Sequence, residues 1–334
     1  MKIAIDAMGG DYTPLVALQG GCEAARVFPD LELILVGQEA LIRNLAEKKK
    51  IQIPKSVSFC EAEDVVEMKD SPVTALRKKK QSSIMVAADL VKNNEAHAVV
   101  TAGNTGAAVA ATVLKWRLLP GISRPGIALP VAHHNGISVL MDVGANVEAK
   151  PSHFYNYAIM GKIYAESVLK MSDVRIGLLN VGEEEGKGSS EIKEIFNLFK
   201  KSYFNFIGNV EGRDIFNGKC DVIICDGFVG NIVLKVIEGV AGALFQLTKN
   251  EINKTFLSKL GAIFCLPAFK RLKRKVDQSE YGGAILLGVN GVCIIGHGSS
   301  DNRAVFNAIR VAREFVMHDI NRKICKEIET NGSL

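Results

Sequence analysis

No CxxC pair occurs among the seven cysteines, and their number is odd, so neither a disulfide framework nor a cysteine-based metal site is expected. Reduced thiols in a cytosolic protein fit them better. No uninterrupted apolar run approaches the roughly 20 residues needed to cross a bilayer. The chain opens directly on the strand-like MKIAID rather than on a leader, so the expected location is cytoplasmic, at most peripheral to a membrane. The aspartates are scattered rather than clustered, and no metal or other cofactor is expected. No extended basic stripe is interleaved with aromatics, which speaks against nucleic acid as a partner. A net charge of +5 is too small to select an acidic partner by itself. Prolines number only 9 against 31 glycines in a chain that is 48% hydrophobic, as in compact α/β proteins whose apolar strands are covered on both faces.

The length of 334 residues suits two domains. Apolar strand-like runs alternate with helical periodicity from Ile3 onward, which predicts a parallel sheet. The boundary is placed at about residue 150, giving a first α/β domain over 1–150, rejoined by a terminal helix over 300–334. The second α/β domain, over 151–299, carries a helical hairpin over about 229–278. Within that hairpin, Pro267 is expected to break the helix. It stands in an apolar tip of Phe256, Leu260, Ile263, Phe264 and Leu266, followed by the basic flank Lys270, Arg271, Lys273, Arg274 and Lys275. Such a tip suits the interface of an anionic bilayer; burial against a second subunit is the other reading.

Several strand ends carry groups that chemistry can use. Residues 174–190, VRIGLLNVGEEEGKGSS, run from a buried strand into a turn where Lys187 stands between Gly186 and Gly188, and then into a helical pattern. Ligands bind at such carboxyl ends in open α/β sheets, although a solvated loop has the same composition. TAGNTGA, residues 101–107, places Asn104, Thr105 and Gly106 at the start of a helix, where an anion is the natural guest and a plain N-cap the alternative. It matches neither GxGxxG nor GxxxxGK[ST]. DVGAN ends another strand with Asn146, and DGFVGN puts Asn231 in the opening turn of a strongly periodic helix. His297, between two glycines, offers a base, an anion donor or a capping group. These ends are expected to converge along one edge of the sheet.

Taken in order, IDAMGGD, TAGNTGA, DVGAN, LNVGEEEGKG, NVEGRD, DGFVGN, YGGAILLGVNG and IIGHGSS resemble the phosphate acyltransferases of bacterial phospholipid synthesis, the PlsX family, over nearly the whole chain. The resemblance implies a three-layer αβα architecture like that of phosphotransacetylases and isocitrate or isopropylmalate dehydrogenases. It also implies transfer of a fatty acyl group from acyl carrier protein to inorganic phosphate, a homodimer, and transient contact with an anionic membrane surface. On this reading Lys187 and Asn231 are the essential pair. Asn104, Thr105, Gly106, Asn146, Gly188 and His297 line the phosphate and substrate pocket. The alternative is a short-chain phosphotransacetylase using coenzyme A.

Overall fold

A computed structural model describes residues 1–276 and 278–332, without the side chains of 273–279. The first stretch forms β1 (Lys2–Asp6), α1 (Leu15–Val27), β2 (Glu32–Gly37), α2 (Glu39–Lys48), β3 (Val57–Glu61), α3 (Pro72–Lys78), α4 (Ser83–Lys92), β4 (Ala98–Thr101) and α5 (Thr105–Trp116). The hairpin β5 (Gly126–His133) and β6 (Gly136–Met141) follows, then α6 (Pro151–Ser167), β7 (Arg175–Leu179), α7 (Ser190–Lys200), β8 (Asn205–Val210) and β9 (Val222–Ile224). Helices α8 (Gly227–Lys254) and α9 (Phe256–Val276), strands β10 (Ala284–Leu287) and β11 (Cys293–Ile295), and helices α10 (Asn302–Met317) and α11 (Ile320–Asn331) complete the chain.

Among the described residues the eleven strands share one sheet, in the order β3-β2-β1-β4-β11-β10-β5-β6-β9-β7-β8. Apolar residues alternate across it with the two-residue period of a strand: Ile3 and Ile5 face one helical layer, and Ala4 between them faces the other. Helices α1, α2, α6, α7, α10 and α11 cover the first face, and α3, α4, α5 and α8 the second. This is a three-layer αβα arrangement. The strands at 284–295, assigned to the second domain by the sequence, pair with β4 and β5 in the middle of the sheet.

The sheet is not wholly parallel. β10 pairs antiparallel with β11 and β5, and β5 pairs antiparallel with β6. The strands on either side therefore run in opposite directions, and the register fixes how the two sets meet. One row of paired residues crosses the sheet through Val100, Ile294, Ile285, Ala128, Met141, Ile224 and Leu178. β6 and β9 end on this row, whereas β4, β11 and β7 end one residue past it. The two opposed carboxyl edges thus lie within about one strand residue, roughly 3.3 Å, of the same level. The expected single edge is replaced by two edges that face each other across β10 and β5.

Two helix boundaries differ from the periodicity. Pro267 lies inside α9, and the hairpin turns instead at Thr255. There the backbone is extended and the Thr255 hydroxyl accepts the Ser258 N–H at 3.1 Å, a helix-start signal. The carbonyl that Pro267 leaves without a donor sits on an exposed helix, where water can serve it. The terminal helix is two helices, separated at Asp319, whose left-handed φ of 49° ends the helical path without a glycine. Ser333 and Leu334, at the end of the expected terminal helix, lie outside the described residues.

Candidate active site

Two buried aspartates tie down the turns where the edges meet. The Asp6 carboxylate, at the end of β1, accepts hydrogen bonds from the N–H groups of Met8 and Gly9 and from the Thr101 hydroxyl. Asp142, after β6, accepts the N–H groups of Ile127, Gly144, Ala145 and Asn146. Burial pushes the Asp142 carboxyl above its ordinary range, against the pull of those four donors. The turn it organises receives the start of α8 at contact distance. A Cβ on Gly227 would stand 2.6 Å from the Asn146 carbonyl oxygen, and one on Gly230 1.9 Å from that of Asp142. The Asp226 side chain caps the helix by accepting the Val229 N–H at 2.8 Å. Asn231 is thereby set over Gly144.

Between the edges, on the α5 and α8 face, lies a cavity of about 680 Å³. Ile127, Leu129, Ala284 and Ile295 line its sheet side, and Leu234, Ile237 and Ala241 of α8 lie opposite. Its polar lining comprises Thr105 and Gly106 at the start of α5, Gly144 and Asn231 at the other edge, and residues 296–301 including His297. Thus Thr105, Gly106, Asn231 and His297, chosen from sequence, meet in one cavity. Among the described residues the Asn231 amide has no hydrogen-bond partner in the chain and is exposed. His297 accepts the Ser299 N–H at Nδ1, which leaves Nε2 facing Glu238 Oε1 at 3.8 Å.

The remaining candidates stand elsewhere. Asn104 caps α5, its Oδ1 accepting the Ala107 N–H while its Nδ2 donates to the carbonyls of Met68 and Asp70; it shapes the site rather than offering a free amide. Asn146 is likewise occupied, by the Tyr157 hydroxyl and the Pro125 carbonyl. Lys187 does not line the cavity. It is exposed on the loop after β7, next to β9, the strand that leads into α8, and its stem lies over Gly182. The glutamates before it engage other cations: Glu183 pairs with Lys219 and Arg213, and Glu185 with Lys200. The Lys187 ammonium has no ion-pair partner among the described residues. Gly188, with φ at 87°, turns the backbone where a side chain would strike Asn180.

Lys235 and Glu238, absent from the sequence candidates, also line the cavity and pair with each other at 2.8 Å. Their signal was the helical spacing of Asn231, Leu234, Lys235, Glu238 and Ala241, which marks one face of α8. Cys225, the thiol packed beneath Gly230, is pushed well above its ordinary range by burial and by the charges of Asp142 and Asp226, so it is no thiolate nucleophile. Among the described residues no group of three or more His, Cys, Asp or Glu side chains is placed to hold a metal ion.

A family described as "Fatty acid synthesis protein" matches residues 1–323. The phosphate acyltransferase of Pelotomaculum thermopropionicum is 48% identical over 330 residues, covering 99% of this chain and 96% of that protein. That of Desulfitobacterium hafniense is 49% identical over 329 residues, 98% of each. The chain belongs to the phosphate acyltransferase family. Its fold is shared more widely. The EutD phosphotransacetylase from Staphylococcus aureus superposes with a TM-score of 0.60 at 14% identity, over 95% of this chain and 94% of that one. A 4-hydroxythreonine-4-phosphate dehydrogenase from Salmonella typhimurium gives 0.52 at 11%, over 94% and 99%. At such identities the likeness concerns the architecture of this phosphate acyltransferase family member, with its two opposed edges, and not its chemistry.

Proposed function

We propose that this acyltransferase moves a fatty acyl group from acyl carrier protein to inorganic phosphate, forming an acyl phosphate for phospholipid synthesis. A phosphate oxygen attacks the thioester carbonyl, the tetrahedral oxyanion collapses, and the carrier thiolate leaves. Phosphate is already a competent nucleophile, so positioning and oxyanion stabilisation are the protein's main tasks. The observation that carries the reading is the cavity itself, with polar groups from both carboxyl edges over an apolar floor. Asn231, free and pinned over Gly144, is suited to the oxyanion or the phosphate. Lys187 brings a positive charge on a flexible stem from the neighbouring loop. Thr105, Gly106 and His297 complete the pocket, while Asn104, Asn146 and Gly188 hold its turns in shape. Phosphate-dependent release of carrier thiol from a long-chain acyl donor is the expected result. Preference for acetyl-coenzyme A in the same assay would favour the short-chain phosphotransacetylase reading, to which the shared fold lends its only support.

The hairpin extends the proposal to partners. By length and composition α8 could cross a bilayer, yet its first turn is locked into the site and Val233, Leu234 and Ile237 pack on the sheet core. We read it as a protruding arm. Its outer stripe, Ile232, Val236, Val240 and Leu244, is exposed and suits a second copy of the chain. The first turns of α9 expose Phe256 at 76% and Phe264 at 82%, together with Leu260, Ile263 and Leu266, and form the proposed membrane tip. Lys270 and Arg271 are exposed beside it; the side chains of Lys273, Arg274 and Lys275 lie outside the described residues. On this reading the enzyme works at the cytoplasmic membrane surface, in transient contact with it. Replacing Phe264 and Leu266 together by aspartate is expected to abolish co-flotation with anionic vesicles while activity on soluble donor stays within about twofold. Unchanged flotation would assign the tip to protein packing.

A further inference from the structure

We propose that the underside of α8 measures the acyl chain, with Ala241 marking the depth to which the tail reaches from a thioester held at Asn231. The inference rests on the acyl transfer proposed above. Cavity-lining positions on α8 recur at Asn231, Leu234, Ile237, Ala241 and Phe245, the spacing of a single helical face. At 1.5 Å per residue that face runs about 15 Å from Asn231 to Ala241 and about 21 Å to Phe245. Leu234 and Ile237 pack against the sheet core, so the near part of the face is already closed. Leu129 and Ile295 continue the apolar lining on the sheet side.

Ala241 is the one small side chain in this series of larger apolar ones, and it opens a gap one turn before Phe245. The charged pair on the same helix does not block the path. Lys235 is 57% exposed and draws Glu238 toward itself, leaving the apolar positions to meet the tail. A flexible hydrocarbon chain needs no hydrogen bonds and gains from each methylene removed from water, so it suits an apolar groove whose polar groups lie at the head and along one rim.

The test compares octanoyl and hexadecanoyl thioesters of acyl carrier protein, with phosphate-dependent thiol release as the readout. Ala241→Phe is expected to lower kcat/KM for the hexadecanoyl donor roughly 30-fold and to leave the octanoyl donor within about twofold, because only the far methylenes lose their place. Phe245→Ala is expected to shift preference the other way, raising the ratio of octadecanoyl to hexadecanoyl turnover. Should Ala241→Phe melt early, Ala241→Leu makes the same comparison with less added volume. An unchanged length profile in the folded variants, or an equal loss for both donors, overturns the assignment of α8 as the ruler. Absence of thiol release by the unmodified enzyme from any carrier donor is a different result, and would remove the acyl-transfer reading itself.

Discussion

Lys187→Ala is expected to lower acyl phosphate formation by about two to three orders of magnitude, the loss typical of removing one group that stabilises charge in the transition state. The melting temperature should move by less than about 2 °C, because the side chain is exposed and makes no ion pair among the described residues. The two readouts together separate chemistry from folding. Nothing in the loop needs this ammonium for stability: Gly188 sets the turn, and the Asn180 side chain holds it by donating to the Lys187 carbonyl, which alanine retains. A cation left unneutralised beside three glutamates, two of them paired elsewhere, is available to an incoming anion. Near-normal turnover in the variant would take Lys187 out of the mechanism and leave the centre to Asn231, Thr105 and His297.

The second large effect is structural, and it sets two glycines of α8 against each other. In an exposed helix interior, alanine for glycine stabilises by about 0.8 to 1 kcal/mol. Gly239→Ala should behave this way, since a Cβ there meets nothing within 4 Å. Gly230→Ala should do the reverse. Its Cβ would fall 1.9 Å from the Asp142 carbonyl oxygen and 3.0 Å from the Cys225 sulfur, so α8 must lift from the turn at 142–146. A loss of about 2 to 3 kcal/mol is expected, in the range of overpacked cores. Turnover should drop with it, because Asn231 moves with the helix. Thermal melts of the two variants side by side give the comparison; equal melting temperatures would mean that the start of α8 is not seated as closely as its contacts indicate.

Much of the fold was legible because local physics encodes it. Apolar runs marked β1, β2 and β4, the 3.6-residue period marked α8, and the plain N-cap given as the alternative for Asn104 is what that residue forms. Pro267 misled for an equally local reason. A proline weighs against a helix wherever it falls, but on an exposed arm the lost hydrogen bond passes to water, whereas Thr255 supplied the true cap. Asp319 gave no warning, because an aspartate can adopt a left-handed turn without the glycine that usually announces one. Asn104 and Asn146 show the same ambiguity at the site: an amide beside a glycine turn can serve a ligand or the protein's own groups, and these two serve the protein, Asn104 through main-chain groups and Asn146 through the Pro125 carbonyl and the Tyr157 hydroxyl.

By itself the sequence determined the α/β class, the glycine turns at the strand ends and four of the groups that line the cavity, Thr105, Gly106, Asn231 and His297. Only the tertiary structure decided that these turns meet across the middle of the sheet rather than along one border. The reason is that strand direction depends on partners far away in the chain. An apolar run such as 284–287 has the same period whether its neighbours run with it or against it, and the reversal at β10 and β5 arises only when they pair with β11 and β6. That reversal brings Asn231 and His297, each at the end of a different half of the sheet, to a single cavity.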